Sequence, residues 1–346
     1  MANDKVAIIG TRGCGKTVLL AVLTHQLARK DKNGFQIIPD NPEAMKFTSE
    51  KWHDLESGEW PAPTPKLVTP PIFKWKLRNG KKEKLMTTSD IAGEAWREFI
   101  IENVGDNAEV SVRSNWEKYK EKWMEFKKKG ELHHQNSEEQ IAPHLKAIKN
   151  LLNQSSHIFL LLNLKEIINQ EPEHEKAMFL PIALANYMAR IKRSHVPVTL
   201  VLTQTDQYKY LYEEQGDWAK VVEEYNPWIP QQFKMIIPIA AVADVKEKMC
   251  EDGTIKACPA PGFNSFGIIE LYKNIWRTMA QADRREFIEN VKYFLFKEIP
   301  LLLLLWLIYI LAFYFLSSVD LVWGVFYFLI GGYICIKITK WLHHKR

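Results

Sequence analysis

An α/β fold, a mostly parallel sheet with helices on both faces, is what the sequence predicts, and three observations carry that expectation. The chain opens on Lys5-Val6-Ala7-Ile8-Ile9, a short apolar run rich in β-branched residues that reads as a buried strand. The glycine-rich phrase Gly10-Thr11-Arg12-Gly13-Cys14-Gly15-Lys16-Thr17 follows at once, and Val18-Leu19-Leu20-Ala21-Val22-Leu23 then starts an apolar helix. Further on, apolar strands alternate with helices, the pattern of a parallel sheet covered on both faces. The strands end in polar phrases, at the carboxyl edge where such sheets bind their ligands.

Composition bounds the rest. At 346 residues, 47% hydrophobic and 25% charged, the chain is globular with ample core, and its length is that of about two domains. The net charge of +5 is mild and its basic residues are interspersed with carboxylates, so no nucleic-acid footprint is indicated. The cysteines, Cys14, Cys250, Cys258 and Cys335, have no C-x-x-C spacing, which fits a reducing compartment. Met1 to Lys5 leads straight into a strand, so no secretory signal is expected.

The first glycine-rich phrase is a complete G-x-x-x-x-G-K-[ST] phosphate loop. Its glycines let backbone N–H groups close around phosphate oxygens. Lys16 would reach the β- and γ-phosphates and the Thr17 hydroxyl would ligate Mg2+, with the helix N-terminus adding positive potential. Gly10, Gly13, Cys14, Gly15, Lys16, Thr17 and Val18 make up the expected nucleotide-contacting set. The first helix is expected to run to about Lys30 and to stop at Asp31-Lys32-Asn33-Gly34. Pro39 to Pro71 is rich in proline and reads as a long shaped loop. Ile72–Leu77 and Glu83–Thr88 form a hairpin about Arg78-Asn79-Gly80-Lys81.

That hairpin ends in Asp90-Ile91-Ala92-Gly93-Glu94, the second part expected of a phosphate-loop hydrolase. Asp90 would hold Mg2+ through water, and the Gly93 N–H would meet the γ-phosphate. From about 95 to 153 the chain reads as a charged helical insertion whose Trp116, Tyr119, Trp123 and Phe126 recur at helical spacing and pack on the domain. His133, His134 and His144 lack the spacing of a metal site. Strands resume at His157–Asn163, Val196–Leu202 and Lys234–Ile239, with helices at about Ala177–Arg193 and Phe266–Asp283. The strand ends carry Thr203-Gln204-Thr205-Asp206 and Ala240-Ala241-Val242.

The C-terminus differs in kind. Leu301–Leu316 and Leu321–Ile336 are uncharged apolar runs separated by Ser317-Ser318-Val319-Asp320. As helices each would span about 24 Å. Lys292 and Lys297 precede the pair, and Lys337, Lys340, Lys345 and Arg346 follow it. Positive flanks on both sides of a short acidic turn predict a transmembrane helical hairpin with both termini cytoplasmic. The expected organisation is a phosphate-loop domain over 1–290 and a membrane hairpin with a basic tail over 291–346.

The order phosphate loop, Asp-x-x-Gly, Thr203-Gln204-Thr205-Asp206, then Ala240-Ala241 resembles the Ras-like GTPases of the P-loop NTPase class over about residues 1–285. The resemblance implies that Asp206 accepts two hydrogen bonds from guanine and that Ala240-Ala241 supplies a backbone N–H to the guanine oxygen. Gln204 stands where the family has Lys, which implies weaker affinity. Thr64, within Trp60-Pro61-Ala62-Pro63-Thr64, takes the place of the threonine that senses the γ-phosphate and touches Mg2+. Glu94 replaces the family's water-orienting Gln, which implies slow hydrolysis. Arg12, inside the loop, either stabilises the transition state or forms an outward ion pair. The Trp-Pro-x-x-Thr loop, the Asp-x-x-Gly-Glu phrase and the insertion look like the bacterial double-GTPase group of conflict and defence gene clusters.

The expectation is therefore a membrane-anchored, Mg2+-dependent protein that binds GTP and GDP at the inner, cytoplasmic membrane. It would hydrolyse GTP slowly and signal to a protein partner (another GTPase or an effector) or to a second copy of itself. A phosphate-loop ATPase of the same fold is the alternative, as is a nucleotide-binding membrane scaffold that oligomerises without turnover.

Overall fold

The computed structural model describes residues 5–311, apart from 12, 30, 32–33, 63–69, 90, 92, 105–120, 129–137, 170–173, 228, 231–232, 234, 250–253, 294–295, 298–299, 301–303, 305 and 309. Two compact units are distinguished, Met1–Ala282 and Asp283–Arg346. In the first, β1 (Lys5–Gly10), β5 (Ser155–Asn163), β6 (Val198–Thr203) and β7 (Ile236–Pro238) form a parallel sheet in the order β1-β5-β6-β7. The register sets Gly10 beside Leu161, Asn163 beside Thr203 and Leu202 beside Pro238. The polar strand ends thereby fall on one edge of the sheet.

Both faces of this sheet are buried, which is why its strands read as continuous apolar runs. Ala7, Ile9, Leu160, Leu162 and Leu200 enter one core with α3 (Gly93–Val104), α5 (Glu138–Gln154) and α7 (His174–Arg190). Val6, Ile8, Phe159, Leu161 and Val201 enter the other, with α1 (Lys16–Gln26), α2 (Pro42–Glu56) and the last helix, Ile268–Tyr293. The insertion joins the first core. Its helical residues 121–128, α4, bury Trp123 and Phe126, which meet Phe179 of α7 at ring distances of 5.1 and 5.6 Å. Arg97 of α3 lies over the Phe126 ring at 4.9 Å. These two aromatics thus pack on the domain, as their helical spacing suggested, while Trp116 and Tyr119 lie outside the described residues.

The structure adds two elements to these expectations and corrects two others. The expected hairpin lies in a second sheet: β2 (Phe35–Pro39), β3 (Ile72–Asn79) and β4 (Lys82–Ser89) pair antiparallel, apart from the parallel sheet. Within it Asn79 pairs Lys82, so Gly80 and Lys81 make the turn, with Gly80 at φ +60°. The first helix ends at Gln26, short of Lys30, because buried Leu27 offers its carbonyl to the N–H of Ile37 at 2.7 Å and the chain turns into β2. The segment from Pro39 to Pro71 is not all loop. Pro42 sits at the first turn of α2, where its missing N–H costs nothing. Asn41 caps that helix by accepting from the Ala44 N–H at 3.2 Å, and its amide donates to the Ile72 carbonyl at 2.8 Å. Lastly, a hairpin of β8 (Val245–Met249) and β9 (Ile255–Pro259) follows β7 where no strands were anticipated.

Among the described residues no helix is long and apolar enough to cross a membrane. The expected second apolar run, Leu321–Ile336, and much of the first lie outside the described residues.

Candidate nucleotide-binding site

Three glycines shape the loop between β1 and α1. Gly13 and Gly15 have φ of +79° and +78°, a left-handed conformation that L side chains rarely adopt. Gly15 is the N-cap of α1, so the positive helix end opens on the loop. Gly10 is needed for a different reason: a Cβ there would lie 2.5 Å from Cys14 Sγ and 2.8 Å from the Leu161 carbonyl oxygen. Lys16 begins the helix, is 7% exposed, and donates through Nζ to the Ile91 carbonyl at 3.3 Å. Ile91 is the second residue of the Asp-x-x-Gly phrase, so the phosphate-loop lysine meets that phrase at its carbonyl. Thr17 and Val18 follow in the same turn of α1, and Gly93 begins α3.

The loop is held to the neighbouring strand ends by side chains. Thr203 Oγ1, at the end of β6, donates to the Cys14 carbonyl at 2.9 Å. Asn163, at the end of β5, donates from Nδ2 to the Gly13 carbonyl at 3.5 Å. The Thr11 hydroxyl donates to Glu166 Oε2 at 3.4 Å. Sequence reasoning did not single out Asn163 or Glu166. The polar residue closing an apolar strand was the available signal for Asn163, and nothing local distinguishes Glu166 from a surface acid.

After Thr203 the chain tightens. Gln204 is left-handed, with φ +58°, and caps a 3₁₀ turn over Thr205–Tyr208. Thr205 is buried and pins that turn to the β7 end, its hydroxyl donating to the Ile239 carbonyl at 3.1 Å. Asp206 is thereby fixed in a partly buried position. Burial pushes its carboxyl above the ordinary aspartate range, while its own N–H, the Lys209 ammonium and the Gln207 N–H pull it back. The expectation for Ala240-Ala241 narrows: the Ala240 N–H donates to the Phe266 carbonyl at 3.1 Å, which leaves Ala241 as the member able to offer an N–H to a base.

Arg12, Thr64 and Asp90, and the side chain of Glu94, lie outside the described residues. Trp60, four residues before Thr64 in sequence, donates from Nε1 to the Ala257 carbonyl of β9 at 2.7 Å. Among the described residues there is no group of three or more His, Cys, Asp and Glu side chains arranged to hold a metal. A cavity of about 540 Å3 takes Thr205 of the 3₁₀ turn into its wall and, among the described residues, none of the phosphate loop.

No family model matches the sequence, and no curated protein is similar to it. Solved structures of similar chain path include translation elongation factor SelB from Methanococcus maripaludis in complex with a GTP analogue. It is 13% identical over 81% of this chain and 34% of its own, with a TM-score of 0.34. Roco2 from Methanosarcina barkeri, bound to GDP, is 13% identical over 81% of this chain and 50% of its own, with a TM-score of 0.31. In the signal recognition particle receptor complex SRb-GTP/SRX from Chaetomium thermophilum the match is 13% identical over 70% of this chain and 93% of the other, with a TM-score of 0.31. The chain thus spans a third to a half of the length of the first two. What it binds is a question for its own residues: an α/β chain presents a phosphate-type loop and a second polar loop, hydrogen-bonded together, at one edge of a parallel sheet.

Proposed function

We propose that the chain is a membrane-anchored, Mg2+-dependent switch that binds and hydrolyses GTP. The observation that carries this reading is the 2.9 Å bond from Thr203 Oγ1 to the Cys14 carbonyl. It ties the phrase Thr203–Asp206 to the phosphate loop, so a base beside Asp206 and phosphates in the loop belong to one ligand. Guanine presents a ring N–H and an amino group side by side, and the Asp206 carboxylate accepts both. Adenine has no such pair of donors. The Ala241 N–H then faces the guanine oxygen. Lys16 neutralises the β- and γ-phosphates, and the α1 N-terminus adds to it.

Mg2+ takes few protein ligands and keeps its phosphates and waters, a need met by the Thr17 hydroxyl and, through water, Asp90. Bound there, the ion would neutralise charge on the β- and γ-phosphates. Thr64 and Gly93 sense the γ-phosphate, Glu94 in place of a water-orienting Gln keeps hydrolysis slow, and Arg12 either stabilises the transition state or forms an outward ion pair. The Lys16–Ile91 bond supports coupling between the phosphate site and α3, which carries the helical insertion. The two C-terminal apolar runs support anchoring at the cytoplasmic face, where the altered surface meets a protein partner or a second copy.

The ATPase reading would make Thr203–Asp206 only a strand-end turn. Asp206→Asn separates the two. GTP affinity is expected to fall about ten- to a hundredfold, the worth of hydrogen bonds to a charged acceptor, with ATP affinity unchanged. Equal GTP affinity in both proteins would assign the site to another base.

A further inference from the structure

We propose that Asp244 is a positioning residue for base recognition, holding the Ala241 N–H where the guanine oxygen meets it; this rests on the GTP reading given above. The loop that leaves β7 is fastened at both ends to one segment, residues 260–267, which leads from the β8–β9 hairpin to the last helix. At the start of the loop Ala240 and Phe266 exchange N–H to carbonyl bonds of 3.1 and 2.8 Å. At its end the Ala243 N–H donates to the Asn264 carbonyl at 2.9 Å, and the Ala260 N–H donates to the Asp244 carbonyl at 3.0 Å. Asp244 closes the loop with its side chain. Oδ2 accepts the Asn264 N–H at 2.9 Å and the Asn264 amide at 2.8 Å, and a charged acceptor makes these bonds stronger than their neutral neighbours.

Ala241 and Val242 are the two residues between these fastenings. Their side chains pack on the core that α1 shares, and neither N–H has an acceptor among the described residues. The fastening segment is itself fixed. Gly267 lies so close to β7 that a Cβ there would overlap the Pro238 carbonyl oxygen. Ser265 exchanges hydrogen bonds of 2.7 and 3.0 Å with the Gln26 side chain at the end of α1, the helix that Lys16 begins. The phosphate loop has its own tie, from Thr11 to Glu166 of α6 (Leu164–Asn169), and Asp244 is the side-chain tie of the base loop. With Oδ2 turned to Asn264, the carboxylate acts on the base through the backbone. Its loss leaves the far end of the loop to backbone bonds alone, and the freedom gained there must be given up again when a base binds.

The test is the affinity of the full chain in Mg2+ for GTP, for ATP and for thio-GTP, in which sulfur replaces the guanine oxygen. Wild type is compared with Asp244→Ala, Asp244→Asn and Asn264→Ala, with thermal unfolding confirming that each is folded. Sulfur accepts a hydrogen bond more weakly than oxygen, so thio-GTP reads the Ala241 contact while the ring N–H and amino group stay in place for Asp206. Wild type is expected to prefer GTP to thio-GTP about fivefold. Asp244→Ala should weaken GTP by about the same factor and erase that preference, with ATP unchanged. Asp244→Asn retains an acceptor oxygen and should keep the preference, and Asn264→Ala, which retains the backbone donor, should fall between. Should Asp244→Ala fail to fold, the comparison is read in Asn264→Ala. A GTP-to-thio-GTP ratio that is the same in wild type and Asp244→Ala, or equal losses of GTP and ATP, would overturn the proposal. A wild-type chain that binds ATP as tightly as GTP would overturn it together with the GTP reading. Wild-type selectivity for GTP alongside indifferent variants would overturn this proposal alone.

Discussion

The phosphate loop and the base-side turn stand on the same sheet edge but are made by opposite means. The phosphate loop is backbone: two left-handed glycines, a third that leaves no room for a Cβ, and a helix end. The base-side turn is side chain: a half-buried carboxylate held by a 3₁₀ turn and by the Thr205 hydroxyl. A backbone site recognises charge and tolerates any nucleotide that brings phosphates. A side-chain site reads one pattern of donors. Specificity should therefore fail at Asp206 without loss of phosphate binding, whereas failure at the loop should abolish everything.

The sharpest break is at Gly10. Gly10→Ala places a methyl against Cys14 Sγ and the Leu161 carbonyl, and should cost about 3 kcal/mol of stability and all nucleotide binding. Gly15→Ala meets no atom within 4 Å and carries only left-handed strain, so its thermal unfolding should show a loss of about 1–2 kcal/mol. Equal losses in the two would remove the distinction between crowding and conformation.

A smaller effect separates the two regions by pH. Because burial raises the Asp206 carboxyl, the native chain binds more protons than the unfolded chain between their two values, so this group lowers stability as pH rises through that window. Guanine recognition needs the ionised form. In titration calorimetry GTP affinity should therefore decline on acidification at a higher pH than an ordinary aspartate would give, while Asp206→Asn shows neither slope. The smallest effect concerns the joint. Thr203→Val removes the bond to the Cys14 carbonyl and should cost about 1 kcal/mol, weakening GTP and ATP alike where Asp206→Asn discriminates between them.

Much of this edge was legible in the chain. The strand–glycine loop–helix unit, the hairpin at Gly80 and the strand ending at Thr203 are local patterns, and local patterns survive folding. What escaped was decided by partners distant in sequence. Helix α1 stops at Gln26 because Ile37 takes the Leu27 carbonyl. Proline density hid α2, although Asn41-Pro42 is a helix start on its own terms. The β8–β9 hairpin had a signal, Asp252-Gly253, but β8 is exposed throughout and β9 over its first three residues, so no core-facing alternation marked them. Glu166 reaches Thr11 across 155 residues, a pairing that only the sheet order creates.

The most direct test of a guanine-reading phosphate site is the affinity of the full chain for GTP, GDP and ATP in Mg2+, with Lys16→Ala as the blank. GTP and GDP binding well above ATP, and none of it in Lys16→Ala, is the predicted result. ATP bound as tightly as GTP would contradict the account, leaving the phosphate loop in place and removing Asp206 as the residue that reads the base.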